Sequence, residues 1–551
     1  MKKYQKHLVA IIAVTGMLTV SLTLAEPVES GGKSDPAAEL PERLEGKTPE
    51  EQAELVLGMM TLEEKVRLCL GGGPMNFAGV PRLGIAPMHC ADGPRGPNHP
   101  QGTAFPAGTG QSSAWNTELM REMGEVWAKE ARARNVTVLL APGMGMQRNP
   151  LHGRFFEHYT EDPYLNGALA VPTVEGIQSQ NVAACLKPYL ANTREFNRSH
   201  YISVMDERTL REIYLPGFRM AVEDGVWTVM TAPNGAKIIG RNDHGLPVSD
   251  NRFLLMDVLK GEWGFEGFVM TDWGGTRSTE LAAKAGLDVS MPFRPGVDSY
   301  EEHLFGKPLL DAVKAGRVSR ELIDDMARRV LRVAALTGVL EGIPAQQGGA
   351  VNRPEHREVA LRLAQESVVL LKNTDDLLPL DRESVREILV VGPNADRFFC
   401  DMTLGGSSGV RTQHEVTALE GIRKAAGEDV KISTFDLSDF FGFRPITADD
   451  LVPNKDGSRG FKAEYRKQRG GEPIYTETVE AVDFMWEMRS PDPSKLGVDN
   501  FHCSYVARID PPVTGMYTLR IKADDRARLG YYASRVGAPL ATADIEQGGE
   551  G

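Results

Sequence analysis

Between Ile85 and Met291, short apolar runs of strand character alternate with amphipathic helical segments, and most runs end on a charged or turn-forming residue. Ile85 to Cys90 leads to Asp92, and Val136 to Ala141 leads into a loop carrying Arg148 and Arg154. Val182 to Leu186 ends on Lys187, Val226 to Ala232 ends near Asn234, Phe268 to Thr271 ends on Asp272, and Leu287 to Met291 closes the series. The intervening segments carry helical spacing, as in Arg208 to Ala221 with Leu210, Tyr214, Phe218 and Ala221 on one face. Strand followed by helix, repeated, demands a parallel sheet. Over residues 47–340 that pattern is expected to close into a (β/α)8-type barrel rather than an open sheet.

In such a barrel the working groups sit on the loops after the strands. The stretch Gly264 to Gly275 shows the pattern most clearly: Phe268, Val269 and Met270 form the apolar run, and Asp272, Trp273 and two glycines follow. A lone Asp there is as well explained as a helix cap or a turn residue. Asp92, Arg154, Lys187 and Asp272 share that kind of position, however, and four charged groups together point to a pocket. Carboxylates mixed with Arg and Lys, beside Trp273 and without a metal-ligand cluster, suit a neutral polyhydroxylated ligand. Charged groups hydrogen-bond hydroxyls strongly, and an aromatic face packs the C–H face of a sugar ring. An unpaired carboxylate in such a site is a candidate nucleophile for glycosyl transfer.

Composition narrows the partners. A net charge of −13 argues against nucleic acid or an anionic membrane. Lys2, Lys3 and Lys6 precede an apolar run, Leu8 to Leu22, and the small residues around Ala25, so residues 1–25 read as a signal peptide and the protein as exported, periplasmic or extracellular. No other apolar run reaches membrane-spanning length, so no membrane anchor is expected. The five cysteines are scattered, with no Cys-x-x-Cys, and indicate neither a disulfide framework nor a zinc site.

At 551 residues several domains are expected. Residues 26–46 read as a linker. Thr48 with Glu51 and Thr61 with Glu64 are spaced as capping boxes opening two short helices. Residues 341–357, rich in glycine, read as a second linker, and 358–456 as an α/β layered domain containing the strands Val385 to Val391 and Val430 to Phe435. Its loop Gly405 to Gly409 lacks the Lys-Ser/Thr ending of a phosphate cradle. From Gly457 the helical pattern stops. Thr514 to Lys522 alternates strictly, and 457–551 reads as the start of a β-sandwich.

The motifs Met88 to Gly96, Arg148-Asn149-Pro150 with His152-Gly153-Arg154, Glu157 to Pro163, Ser203 to Leu215, Gly264 to Gly274 and Ala285 to Pro292 resemble glycoside hydrolase family 3 in order and spacing. The resemblance covers roughly residues 48–435 and is closest to the β-glucosidase group. It implies that Asp272 is the catalytic nucleophile, that Asp92, Arg154 and Lys187 hold sugar hydroxyls, and that Trp273 lines the first subsite. Arg148 opens the same motif and is expected to brace its loop. No cofactor or metal is implied. Gly515 to Tyr532 resembles a PA14 domain, which some members carry as an insertion.

Two departures stand out. The family usually has His after the lysine and Tyr after the strand ending near Ala232; this chain has Pro188 and Pro233, the latter followed by a loop from Asn234 to Gly245. The resemblance also implies a second carboxyl acid, often a Glu from the α/β domain; in 358–456 the nearest substitute on a loop is Glu415, a residue better placed to serve the following helix. The expectation is therefore an exported retaining β-glycosidase acting on an oligosaccharide or β-glycoside. The alternative is a C-terminally truncated, catalytically impaired carbohydrate-binding protein; phosphoryl-transfer chemistry has no supporting motif. Oligomeric state is left open.

Overall fold

In the computed structural model the described residues are 36–241, 244–292, 299–397, 400, 405–412, 415–435, 446–454, 456–468, 471–482, 492–496 and 501–509, with strand residues 522–523, 527–531, 541–545 and 549–550. The signal peptide expected in residues 1–25 and most of the alternating run Thr514 to Lys522 lie outside them.

The stretch expected to be a linker holds a helix, Pro36–Leu44. Leu40 and Leu44, one turn apart, are buried where the helix meets the turn Pro81–Leu83. Pro36 and Pro41 punctuate the stretch and concealed this spacing. Both capping boxes form: Thr48 and Thr61 accept the amides of Glu51 and Glu64 at 3.2 Å, and each glutamate reaches back at 2.9 Å. They start the helices Pro49–Met59 and Leu62–Leu68.

The strands that follow, in chain order, are β1 (Gly71–Gly73), β2 (Asn76–Phe77), β3 (Cys90–Asp92), β4 (Val138–Leu140), β5 (Ala183–Tyr189), β6 (Ile202–Met205), β7 (Thr228–Thr231), β8 (Gly235–Ile238), β9 (Leu246–Pro247) and β10 (Phe268–Thr271). β3, β4, β5, β7 and β10 pair side by side and parallel. Single bridges complete the circuit: Met270 with Val289, Leu70 with Ser290, and Asn76 with His89. The ring therefore has eight members, and one of them, β2, runs antiparallel to β1 and β3. The tight turn at Pro74 and Met75 replaces the first strand-to-helix crossover, so the barrel departs there from a regular eightfold repeat.

Side chains alternate across the ring as strand pleating requires. Cys90, Val138, Leu140, Ala183, Cys185, Met230, Phe268 and Met270 share one core, and Phe77 meets Phe268 edge-on with centroids 5.2 Å apart. Ala91, Leu139, Ala184, Leu186, Val229 and Val269 belong to a second core with helices such as Thr117–Arg132 and Pro163–Gln178. Strands covered on both faces are the rule in parallel sheets.

The segment 202–247 differs from expectation. The loop read from Asn234 to Gly245 contains β8, which pairs parallel with β6 and antiparallel with β9. Glycines at 235, 240 and 245 gave it the look of a loop, whereas its partner strand lies over thirty residues earlier. The helix expected from Arg208 is interrupted by a π-helical turn, Leu210–Tyr214. A longer π-helix spans Phe253–Glu262.

Residues 341–357 are not a free connection. Arg132 donates to the Gln347 carbonyl at 2.9 Å, and Ala350 N–H to Lys129 O at 3.0 Å. The next helix, Pro354–Glu366, buries His356 against Glu130 at 2.9 Å and places Val359 and Leu363 in the outer barrel core. That helix packs as part of the barrel. Beyond it β11 (Glu387–Val391) and β12 (Lys431–Phe435) form a parallel pair, with the helix Ala418–Ala426 between them in the chain. This pair exposes unusual apolar surface: Leu389 is 60% exposed, Val391 and Phe435 are exposed, and Leu371 in the preceding segment reaches 91%.

From 457 onward the described strands pair antiparallel. β13 (Phe461–Arg466) lies between β14 (Tyr475–Val479) and β15 (His502–Val506), over a small core of Ala463, Tyr465 and Leu496. Two further antiparallel pairs join Ala527–Tyr531 to Ala541–Ile545 and Lys522–Ala523 to Gly549–Glu550.

Candidate active site

Pleating explains how the expected residues meet. Cys90, Cys185 and Met270 point into the barrel, so Asp92, Lys187 and Asp272, two residues further on, keep the same inward parity at the carboxyl ends of their strands. Lys187 Nζ lies 2.8 Å from Asp92 Oδ1, with Lys187 buried and Asp92 half-buried. Asp272 follows β10 with its backbone N–H on Thr231 O at 3.3 Å, and its Oδ1 accepts the Trp273 amide at 2.7 Å. The Trp273 indole donates to Pro74 O at 2.6 Å. Because β2 runs backwards, the Pro74 turn stands at this same end of the barrel.

Arg154 arrives from the loop after β4. Burial pulls its pKa down, but the carboxylates of Glu157, Asp272, Glu195 and Asp92 together hold it above the ordinary value. It is thus the cationic centre around which the acidic groups of the site are disposed. Its nearest anion is Glu157, at 2.5 Å. All four expected charged residues are brought together, with Trp273 alongside.

Two glutamates were not anticipated. Glu157 lies within a recognised motif, Glu195 outside any. Burial opposes ionisation of Glu157, but Arg154, Lys187, His158 and the Ser408 hydroxyl hold it at about 2. Glu195 is likewise held at about 2, against burial, by His152, Arg154, Arg198 and Asn192. Asn192 donates to it at 2.9 Å and Arg198 at 3.1 Å. Behind them His152 and His158 stack with ring centres 5.5 Å apart. Burial pushes His158 down to about 3, so it is neutral and its Nδ1 accepts the Gly145 amide at 3.2 Å.

The remaining expectations divide. Arg148 sits 5.6 Å from the Tyr214 ring centre, a bracing position. Pro188 and Pro233 are buried, and the peptide bond between Lys187 and Pro188 is cis. Tyr189, next in the chain, faces away from the site: its hydroxyl donates to Leu254 O at 3.0 Å and its ring meets Phe218 edge-on. Glu415 stands three residues before the helix Ala418–Ala426, whose N-cap is another residue. That residue is Thr417, accepting Glu420 N–H at 3.2 Å, while Glu415 Oε2 accepts the Cys400 amide at 3.2 Å. Among the described residues no grouping of His, Cys, Asp and Glu could hold a metal ion.

Two family models match the chain: Glycosyl hydrolase family 3 N terminal domain over residues 81–333 and Glycosyl hydrolase family 3 C-terminal domain over residues 368–514. A beta-glucosidase of Bacteroides ovatus is 38% identical over 400 residues, covering 68% of this chain and 52% of that protein. A beta-glucosidase of Rhizobium radiobacter is 36% identical over 485 residues, 86% of this chain and 56% of its own length. The chain thus spans about half the length of the curated relatives it matches. Among solved structures, beta-glucosidase 3B of Thermotoga neapolitana in complex with alpha-D-glucose aligns with a TM-score of 0.63 at 34% identity, covering 69% of this chain and 55% of that one. The Kluyveromyces marxianus beta-glucosidase in complex with glucose aligns with a TM-score of 0.66 at 27% identity, covering 90% and 62%.

Proposed function

The chain belongs to glycosyl hydrolase family 3, and from that premise we propose that it is an exported retaining β-glycosidase of β-glucosidase type. The observation that carries this reading is the convergence of Asp92, Arg154, Lys187 and Asp272 over one end of the barrel, with Trp273 beside them. The solved Thermotoga neapolitana and Kluyveromyces marxianus enzymes each hold glucose, which supports a glucose-like sugar in this pocket.

In this reading Asp92, Lys187 and Arg154 hold sugar hydroxyls and Trp273 packs against the ring. The Asp272 carboxylate attacks the anomeric carbon as the bond to the leaving oxygen breaks, and the leaving oxygen takes a proton. Water then attacks the covalent glycosyl ester and releases sugar and carboxylate. The proton must come from a carboxyl group that is protonated near neutrality. Glu157 and Glu195, both held at about 2, are carboxylates there and do not serve. We assign the acid/base to a part of the relatives' length that residues 1–551 do not span.

The segment 457–551 is read as the opening of a PA14-like insertion, a reading supported by its antiparallel pairing. Export follows from the charged and apolar leader in residues 1–25.

A second reading, a carbohydrate-binding protein with impaired catalysis, is favoured by the depressed pKa values of Glu157 and Glu195. Incubating the purified chain with 4-nitrophenyl β-D-glucoside, alongside calorimetric titration with glucose, tests both. Turnover with binding supports the enzyme, and binding without turnover supports the second reading. Absence of both binding and turnover would falsify the sugar site.

A further inference from the structure

Ser408 belongs to the turn Gly406–Ser408, more than 200 residues beyond the barrel loop that supplies Arg154, yet it is only 1% exposed. Its hydroxyl donates to Glu157 Oε2, while Glu157 Oε1 faces Arg154 Nη2 at 2.5 Å. Glu157, also 1% exposed, thus stands between a hydroxyl of the second domain and the guanidinium of the site.

Both ends of this connection are seated. A Cβ on Gly108 would lie 2.7 Å from the Glu157 carbonyl oxygen, and one on Gly143 would lie 2.5 Å from it. Only glycine allows backbone that close, so the Glu157 main chain is wedged between two segments. On the other side, Asn98 Nδ2 donates to Ser407 O at 3.2 Å, and Gln101 N–H to Arg411 O at 2.6 Å. Val410 is buried against Gly102, and Gly102 bridges Thr412. The segment 405–412 is therefore docked on the barrel rim.

We propose that Ser408 is a positioning residue: acting through Glu157, it fixes Arg154 at the sugar site, so that docking of the second domain sets the geometry of the first subsite. The inference rests on the reading of that subsite as the sugar site. An arginine fork recognises hydroxyl or carboxyl oxygens only when its plane is held, and Glu157 needs a donor on its second oxygen to remain a buried anion. Deleting the Ser408 hydroxyl leaves that oxygen without its proton donor in a dry environment.

The test compares the wild-type chain with Ser408→Ala and Ser408→Thr. In protein carrying 13C-labelled glutamate carboxyls, the Glu157 signal assigned with Glu157→Gln should titrate at higher pH in S408A and return in S408T. The KM for 4-nitrophenyl β-D-glucoside should rise about tenfold in S408A with kcat less affected, again with recovery in S408T. If S408A does not fold, Ser408→Cys, of similar shape and a weaker donor, carries the same measurements. A folded S408A or S408C with unchanged Glu157 titration overturns the proposal, as does a shifted titration in which KM stays at the wild-type value. If the wild-type chain neither binds nor cleaves glucosides, a shifted Glu157 titration still upholds the connection to Arg154, and only the sugar assignment falls.

Discussion

The Asp272 carboxylate accepts the main-chain N–H of Trp273 at 2.7 Å through Oδ1. That bond fixes the orientation of the side chain relative to its own strand. Among the described residues no hydrogen bond reaches the second oxygen, the one that attacks in the proposed mechanism. Trp273, whose indole is tied to Pro74 at 2.6 Å, cannot swing away without breaking a second bond. The proposed nucleophile and the indole beside it are thus held as one unit.

That unit predicts the site of covalent modification. A 2-deoxy-2-fluoro-β-D-glucoside with a dinitrophenolate leaving group should form a stable ester on Asp272, detected by mass spectrometry of the peptide containing it. Asp272→Asn should abolish labelling while retaining glucose binding. A label on Glu157, Glu195 or Asp92 refutes the assignment.

Leaving-group dependence tests the assignment of the acid/base outside residues 1–551. General acid catalysis contributes roughly 10²–10⁴-fold. Aryl glycosides with acidic phenols need little of it, so they should be turned over slowly, and cellobiose should be nearly inert. Equal and efficient turnover of 4-nitrophenyl glucoside and cellobiose by residues 1–551 means that a carboxyl within them acts as the donor after all.

Pro188 and Pro233 remove two side-chain donors expected near the sugar, each worth roughly 0.5–1.5 kcal/mol. A panel of gluco-, xylo-, galacto- and N-acetylglucosamino-nitrophenyl glycosides should therefore show shallow discrimination. A strong gluco preference would mean that other groups, Arg198 or Asn192 among them, have taken over those hydroxyls.

Much of this site could be read from the order of residues alone. Position just past an apolar strand-like run located Asp92, Lys187 and Asp272, because such a run is a local property. Glu157 was visible in a motif but had no role, since its role depends on Ser408, 251 positions away. β8 was hidden for a related reason: the three glycines in and after it are a local signal, and its partner β6 is not. The helix Pro36–Leu44 was masked by its prolines, although the Leu40 and Leu44 spacing was there to be seen.

Acid sensitivity follows from the buried pair of rings and the two low carboxylates. His158 is held at about 3 against an ordinary 6.5, so the unfolded chain binds a proton first and stability falls as pH drops from 6.5 toward 3. Glu157 and Glu195, at about 2 against 4.5, stabilise the fold above 4.5 and lose that contribution as pH falls toward 2. The onset near pH 6.5 belongs to His158, whose full contribution is on the order of 3–5 kcal/mol. Urea denaturation from pH 7 to 4 should show this slope, and His158→Gln should flatten it above pH 4.5. An unchanged slope in that variant assigns the onset to another group.

Lys260 and Asp288 form a buried pair at 2.7 Å, and the second Asp288 oxygen accepts the Val269 amide at 2.8 Å. Asp288→Ala leaves a buried ammonium and an unpaired strand amide, and should cost about 3–5 kcal/mol. Replacing both residues by apolar ones should recover much of the loss. Denaturant midpoints of the single and double variants measure it, and a single-variant cost below about 1 kcal/mol would show the pair to be dispensable.

The β11–β12 pair carries a different kind of consequence, for handling rather than chemistry. Among the described residues this sheet has two parallel strands, a marginal sheet, and Leu389, Val391, Phe435 and the neighbouring Val368 to Leu371 are exposed on a surface that parallel sheets ordinarily cover. Such a face is colloidally adhesive, and its open edge is a template for pairing with another molecule. In a concentrated preparation the first sign of this region will be in the scattering trace: particle size will grow with concentration and with kosmotropic salt long before the barrel loses its secondary structure.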